Sequence, residues 1–177
     1  MLGLNVETAS PDIDESAVEA DSPSHLAEKL AKTKAEKVYR DLHPEGCPVV
    51  AADTLVEIGG KILGKPRSVA EAGEMLRMLS GKLHYVHTGL AVIYSGTFAS
   101  AVETATVHFR ELSDDEIESY IMSGEPMDKA GAYGIQGRAG AFVDRIEGDF
   151  FSIVGLPLCR FVTLLRNTMG LTLSDMK

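Results

Sequence analysis

The chain has 177 residues, 45% hydrophobic and 24% charged, the balance of a folded protein with length for one sizeable core and too little for two ordinary domains. Its net charge of −9 argues against binding nucleic acid through the phosphodiester backbone, which needs a basic surface, so a phosphate ligand would have to meet a local cluster of lysines. Cys47 and Cys159 are too few and too far apart for a disulfide framework or a zinc ribbon, and neither a leader-like segment nor a membrane-length apolar run occurs, so a soluble, cytoplasmic protein without a membrane partner is expected.

Asn5 to Ala9 reads as a short strand, followed by an acidic turn with Asp12, Asp14 and Glu15. That turn is either a solvated loop or a metal-binding edge, because clustered carboxylates suit Mg²⁺. Ser22-Pro23 marks a helix start, and to about Leu42 the residues Leu26, Ala27, Leu30, Ala31, Val38 and Leu42 share one arc. Lys34 falls at the centre of this arc, where a lysine either snorkels along the core edge or projects into a cleft.

Val49 to Ala52 is a buried strand that Asp53 interrupts. A carboxylate there is costly unless it is paired, hydrogen-bonded or metal-bound. Gly59-Gly60 is a two-residue hairpin signal. If Ile58 pairs with Lys61, counting back puts Lys65 opposite Thr54 and beside Asp53, and Pro66 ends the ladder. Ser68 and Glu71 form a capping box for a helix to Ser80, with Val69, Ala72, Leu76 and Leu79 as its buried stripe and Gly81 as its stop.

Strands follow at about His84 to Tyr94 and Ala101 to Arg110, joined at Ser95-Gly96. In the second, Ala105, Val107 and Phe109 alternate with Thr104, Thr106, His108 and Arg110, one face packed and one wet or lining a site. The five histidines lack ligand spacing, and His84 and His87 should point to opposite faces. A capping box at Ser113 and Glu116 opens a helix burying Ile117, Tyr120 and Ile121 and ending at Gly124. Residues 125 to 155 carry glycines at 131, 134, 137, 140, 148 and 155, which could be tight connections or close approaches of backbone to a ligand. Gln136 has both a donor and an acceptor with which to read a base edge. Leu156-Pro157 opens a last helix with Leu158, Phe161, Val162 and Leu165 inward. Strands and helices alternate without a repeat or linker, so the expectation is one α/β domain over residues 1–170 with a mixed twisted sheet flanked by helices, and a frayed tail at 171–177.

No Ser-His-Asp order, Walker A loop or dinucleotide fingerprint is present. An acid at a strand end, inward lysines, a carboxylate turn and a glycine-rich loop with an amide suit a polyphosphate, whose charge the lysines and a metal would neutralise. Ala51-Asp53-Thr54, Gly64-Lys65-Pro66 and the block from Glu125 through Pro126-Met127-Asp128-Lys129-Ala130-Gly131-Ala132-Tyr133-Gly134-Ile135-Gln136 to Gly137 resemble the signature blocks of the Maf family of nucleoside triphosphate pyrophosphatases. The likeness runs in order from about Leu2 to Arg166. It implies a fold of the Maf and inosine triphosphatase kind, and hydrolysis of a nucleoside triphosphate to the monophosphate and pyrophosphate. Asp53 would be the general base or metal-linked activator of water. Lys34, in the family's Lys-x-Lys-Ala stretch, and Lys65 would hold phosphates; Asp14, Glu15 and Asp53 would place Mg²⁺ or Mn²⁺. Thr54 and Gln136 would help choose the base, in the branch that prefers dTTP and UTP.

One departure stands out. Family members begin with a strand and Ala-Ser-x-Ser-Pro-Arg-Arg, and here Met1-Leu2-Gly3-Leu4 resembles the end of the helix after that turn. The N-terminal strand, part of the first helix and two arginines would then be missing, which should expose a sheet edge and lower solubility and activity. A nucleotide-binding or regulatory module without turnover, and a portion of a longer fused protein, fit the same residues. A homodimer is compatible with all three.

Overall fold

The computed structural model describes residues 4–170; the tail expected to fray and the start of the chain through Gly3 lie outside them. Ser22 caps the first helix by accepting the His25 N–H, Pro23 fits its first turn, and the helix α1 runs Pro23–Leu42 to a left-handed His43. Strand β1, Val49–Ile58, turns at two positive-φ glycines into β2, Lys61–Leu63. Helix α2, Val69–Leu79, follows, with Ser68 accepting from the Glu71 N–H while Glu71 Oε2 accepts from Arg67 N at 2.7 Å, one residue before the partner that a reciprocal box would use. Strands β3, Leu83–Tyr94, and β4, Thr97–Phe109, meet at Ser95-Gly96. Helix α3, Asp114–Met122, has the complete Ser113 and Glu116 capping box. A run of 3₁₀ turns leads to β5, Val143–Glu147, then α4, Phe150–Val154, and α5, Leu158–Met169.

The five strands form one sheet in the order β2-β1-β3-β4-β5. The α/β fold with flanking helices is the one expected; the sheet is antiparallel, not mixed. The alternation of strand and helix suggested parallel crossovers, but the hairpin to β2 has already reversed the chain before α2 begins. No strand forms at 5–9. Val69, expected in the buried stripe of α2, is exposed, while Met75 takes a place in the core.

The residues fall into two compact units, with β1, β3 and β4 contributing to both. One unit comprises residues up to Asp53, Thr88–Glu103 and those from Leu156 on. In it, α1 lays Ala31 and Ala35 against Val49, Ala91 and Ile93, and α5 lays Phe161, Leu164 and Leu165 against Leu90 and Val92. Small residues on α1 allow a very close approach: a methyl group on Gly89 would stand 2.1 Å from the Ala27 carbonyl oxygen and 2.6 Å from Glu28 Cα.

The other unit, Thr54–His87 with Thr104–Gly155, packs Val56, Leu63, Leu76, Leu79, Val86 and Val107 with the rings of Phe109, Tyr120, Tyr133 and Phe142. His84 and His87 do point to opposite faces: His84 stacks edge-on to Phe109 and Tyr133, whereas His87 Nδ1 lies 2.9 Å from Thr104 Oγ1 on the polar face. His84 is fully buried, with Nε2 2.9 Å from the Tyr133 hydroxyl. Burial, helped by the charge of His108, pushes its pKa from 6.5 down to about 4. The unfolded chain therefore binds this proton between those values and the folded one does not. Stability should be full above pH 6.5 and fall as pH drops toward 4, by up to ~1.4 kcal/mol per pH unit. Urea midpoints measured from pH 7 to 4 should decline over that window, and the decline should flatten in His84→Gln, which keeps a hydrogen-bonding group for Tyr133 but cannot take the proton.

Candidate functional site

The first unit gathers three residues that the sequence singles out. Lys34, on the buried side of α1, donates to Asp53 Oδ1 near the middle of β1 and lies 2.7 Å from Glu15 Oε1. The Asp53 side chain is 11% exposed and that of Lys34 21%, so the lysine reaches inward and does not snorkel out. Burial alone would lower the Lys34 pKa, but the hydrogen bonds it donates to Asp53 and then Glu15 outweigh it and the net shift is upward. Lys34 is a fixed cation held between two carboxylates.

The turn that supplies Glu15 is built locally. Asp14 caps the 3₁₀ turn Glu15–Ala17, its Oδ1 accepting from the Ser16 N–H at 3.0 Å and the Ser16 hydroxyl at 2.6 Å, and the latter bond chiefly holds its pKa below the usual carboxylate value. Lys29 on α1 fastens the following residues by donating to the Glu19 carbonyl at 2.9 Å. Nothing in the sequence marks Lys29 for this tie, since it lies off the apolar arc of α1.

Glu15 and Asp53 each direct a carboxylate oxygen at one cation, the Lys34 ammonium. Two hard oxygen donors converging in this way fit Mg²⁺ or Mn²⁺, which commonly takes one or two carboxylates together with substrate phosphates. Among the described residues no group of three or more His, Cys, Asp or Glu side chains is arranged to hold a metal, and Asp14 is directed to Ser16.

The second unit holds Thr54, Lys65 and Gln136. Thr54 Oγ1 lies under the left-handed Gly155 that closes α4, where an added methyl group would be 3.5 Å away. The hairpin register is the one expected, Ile58 with Lys61, but the ladder stops at Val56 with Leu63. Lys65 is therefore not opposite Thr54 in a ladder: the Gly64 carbonyl accepts instead from Gly131 N at 3.0 Å, and Lys65 is exposed. Its charge contributes, weakly, to the lowered pKa of Asp128, whose main cause is the Lys129 hydrogen bond. Gln136 is exposed in a turn closed by the Gly137 N–H on the Gly134 carbonyl at 3.0 Å.

Glu125 was not assigned a role from sequence, yet it ties two parts of the glycine-rich segment to α3, bonding the Tyr120 hydroxyl and Arg138 N. Its packing against Gly137 carries no mark in the sequence, because φ at Gly137 is −101° and only the folded arrangement brings Glu125 against it. Gly89 also went unread, although an isolated glycine within an apolar strand is a sign of close backbone approach.

A family model described as Maf-like protein matches residues 1–168. The chain belongs to the Maf family. It is 48% identical over 164 residues to a dTTP/UTP pyrophosphatase of Symbiobacterium thermophilum, covering 93% of this chain and 84% of that protein. A dTTP/UTP pyrophosphatase of Alkaliphilus oremlandii is 47% identical over 174 residues, 97% of this chain and 90% of the relative. One of Hahella chejuensis is 48% identical over 166 residues, 93% and 83% of the two chains. Like the Maf resemblance of the signature blocks, these likenesses cover Glu15, Lys34, Asp53 and the glycine-rich segment together. Among the described residues no helix is long and apolar enough to cross a membrane.

Proposed function

We propose that this Maf protein hydrolyses nucleoside triphosphates between the α- and β-phosphates, dTTP and UTP in preference, to the monophosphate and pyrophosphate. The observation that carries the reading is the Glu15, Lys34 and Asp53 constellation, a half-buried cation between two carboxylates, in a chain this similar to dTTP/UTP pyrophosphatases. Asp53 takes a proton from water as the water oxygen bonds to phosphorus and the bridging P–O bond breaks, so that pyrophosphate leaves with the electron pair. Lys34 and Lys65 neutralise phosphate charge, Lys34 as a cation whose position the two carboxylates fix. Glu15 and Asp53 would hold Mg²⁺ or Mn²⁺, with Asp14 shaping the turn that delivers Glu15. A divalent cation there would draw off the charge developing on the phosphate oxygens. Thr54 and Gln136 take part in base choice.

Pyrophosphate release measured over dTTP, UTP, dCTP, dATP and dGTP tests the reading. Hydrolysis should be fastest with dTTP and UTP and should stop after exhaustive chelation, returning on addition of Mg²⁺ or Mn²⁺. A flat ranking would contradict the substrate preference, and activity that survives chelation would remove the metal from the site.

A further inference from the structure

Gln136 lies in a turn whose two ends are held by one carboxylate. Tyr120, buried on the inner face of α3, donates its hydroxyl to Glu125 Oε1 at 3.0 Å and accepts the Gly134 N–H at 3.1 Å. Glu125 Oε2 accepts the Arg138 N–H at 3.2 Å. Gly134 and Arg138 therefore flank Ile135, Gln136 and Gly137 as two fixed points, both anchored to Glu125, one directly and one through the phenol. Burial raises the pKa of that phenol, and the Glu125 carboxylate adds to the shift, so Tyr120 remains a donor.

The two glycines of the turn make room for this arrangement. Gly137 has φ −101°, which any residue adopts, so conformation does not require glycine there. Space does: an added methyl group at Gly137 would stand 2.0 Å from Glu125 Oε1 and 2.4 Å from its Cδ. At Gly134 it would meet Lys129 Cε at 2.6 Å and Glu125 Oε1 at 3.4 Å. A carboxylate that bonds one end of a turn directly and the other through Tyr120, and that occupies the volume a side chain at position 137 would fill, determines where the turn sits.

We infer that Glu125, with Tyr120 as its relay, is a positioning residue that sets the Gly134 to Arg138 turn and thereby the base selectivity exerted by Gln136. This rests on the proposed role of Gln136 in base choice. A turn tethered at one end only would let Gln136 sample several positions, and its amide would discriminate less between a pyrimidine and a purine edge.

The test is the ratio of kcat/KM for dTTP to that for dATP in the full chain, with Gln136→Ala, Glu125→Ala and the double variant compared. Gln136→Ala should lower the ratio about tenfold, the loss of roughly one hydrogen bond of discrimination. Glu125→Ala should lower it by a similar factor, chiefly through a higher KM for dTTP, and the double variant should fall no further. Glu125→Gln, which keeps one acceptor for the turn, should lie between Glu125→Ala and the unaltered protein. A merely structural glutamate would depress both substrates alike and leave the ratio unmoved. If Gln136→Ala leaves the ratio unchanged, base choice by Gln136 is wrong and the inference falls with it. If Gln136→Ala lowers the ratio but Glu125→Ala does not, or if the two effects multiply in the double variant, Glu125 does not act through Gln136 and this inference alone is overturned. Should Glu125→Ala not fold, Tyr120→Phe, which keeps the buried ring and removes only the relay, takes its place with the same expected loss and the same contrary results.

Discussion

Asp53→Asn is expected to reduce pyrophosphate release by a factor of about 10² to 10⁴, the range associated with loss of a general base, while the protein stays folded. The amide has nearly the same shape as the carboxylate but cannot take a proton from water. Folding should survive because Lys34 keeps its second partner, Glu15, at 2.7 Å, so the half-buried ammonium is not left without a counter-charge. Turnover and thermal unfolding measured on the same preparation separate the two effects. Near-normal turnover in a folded variant would take the base away from Asp53.

Gly89→Ala is expected to lower stability by on the order of 3 kcal/mol, the upper part of the range for overpacking a tight core. The usual escape, rotation of a flexible side chain, is closed: the atoms met at 2.1, 2.3 and 2.6 Å are the carbonyl of Ala27 and Cα of Glu28, all backbone of α1. Either α1 or β3 must move as a body. For a chain of this length the melting temperature should drop by about 10 °C. The effect should reach the site as well, because Ala27 and Lys34 are seven residues apart and so lie on the same side of α1. Displacing the helix displaces the ammonium from Asp53, and activity should fall at temperatures where the variant is still folded. An unfolding curve coincident with that of the unaltered protein would show that α1 does not approach β3 this closely.

The legible parts of the sequence are those decided by local rules. Ser22-Pro23, Ser113 with Glu116, and Gly59-Gly60 are each signals spanning at most four residues, and each element begins or reverses where they indicate. Lys34 and Asp53 were singled out for the same physical reason, a charge set among apolar neighbours, and the structure pairs them. The misreadings come from long-range terms. Asn5 to Ala9 has strand composition, but a strand exists only with a partner, and among the described residues none pairs with it. Counting the hairpin register as far as Lys65 assumed that the ladder would continue, whereas Gly131, far along the chain, takes the Gly64 carbonyl. The space that Glu125 occupies over Gly137 depends on how α3 and the 3₁₀ turns pack, which no local pattern encodes.

Cleavage of the nucleotide between the α- and β-phosphates is tested most directly by product analysis of dTTP hydrolysis by ³¹P NMR in the presence of Mg²⁺. The expected result is dTMP and pyrophosphate as the first and only products. Accumulation of dTDP and orthophosphate, or dTTP left intact, would contradict it.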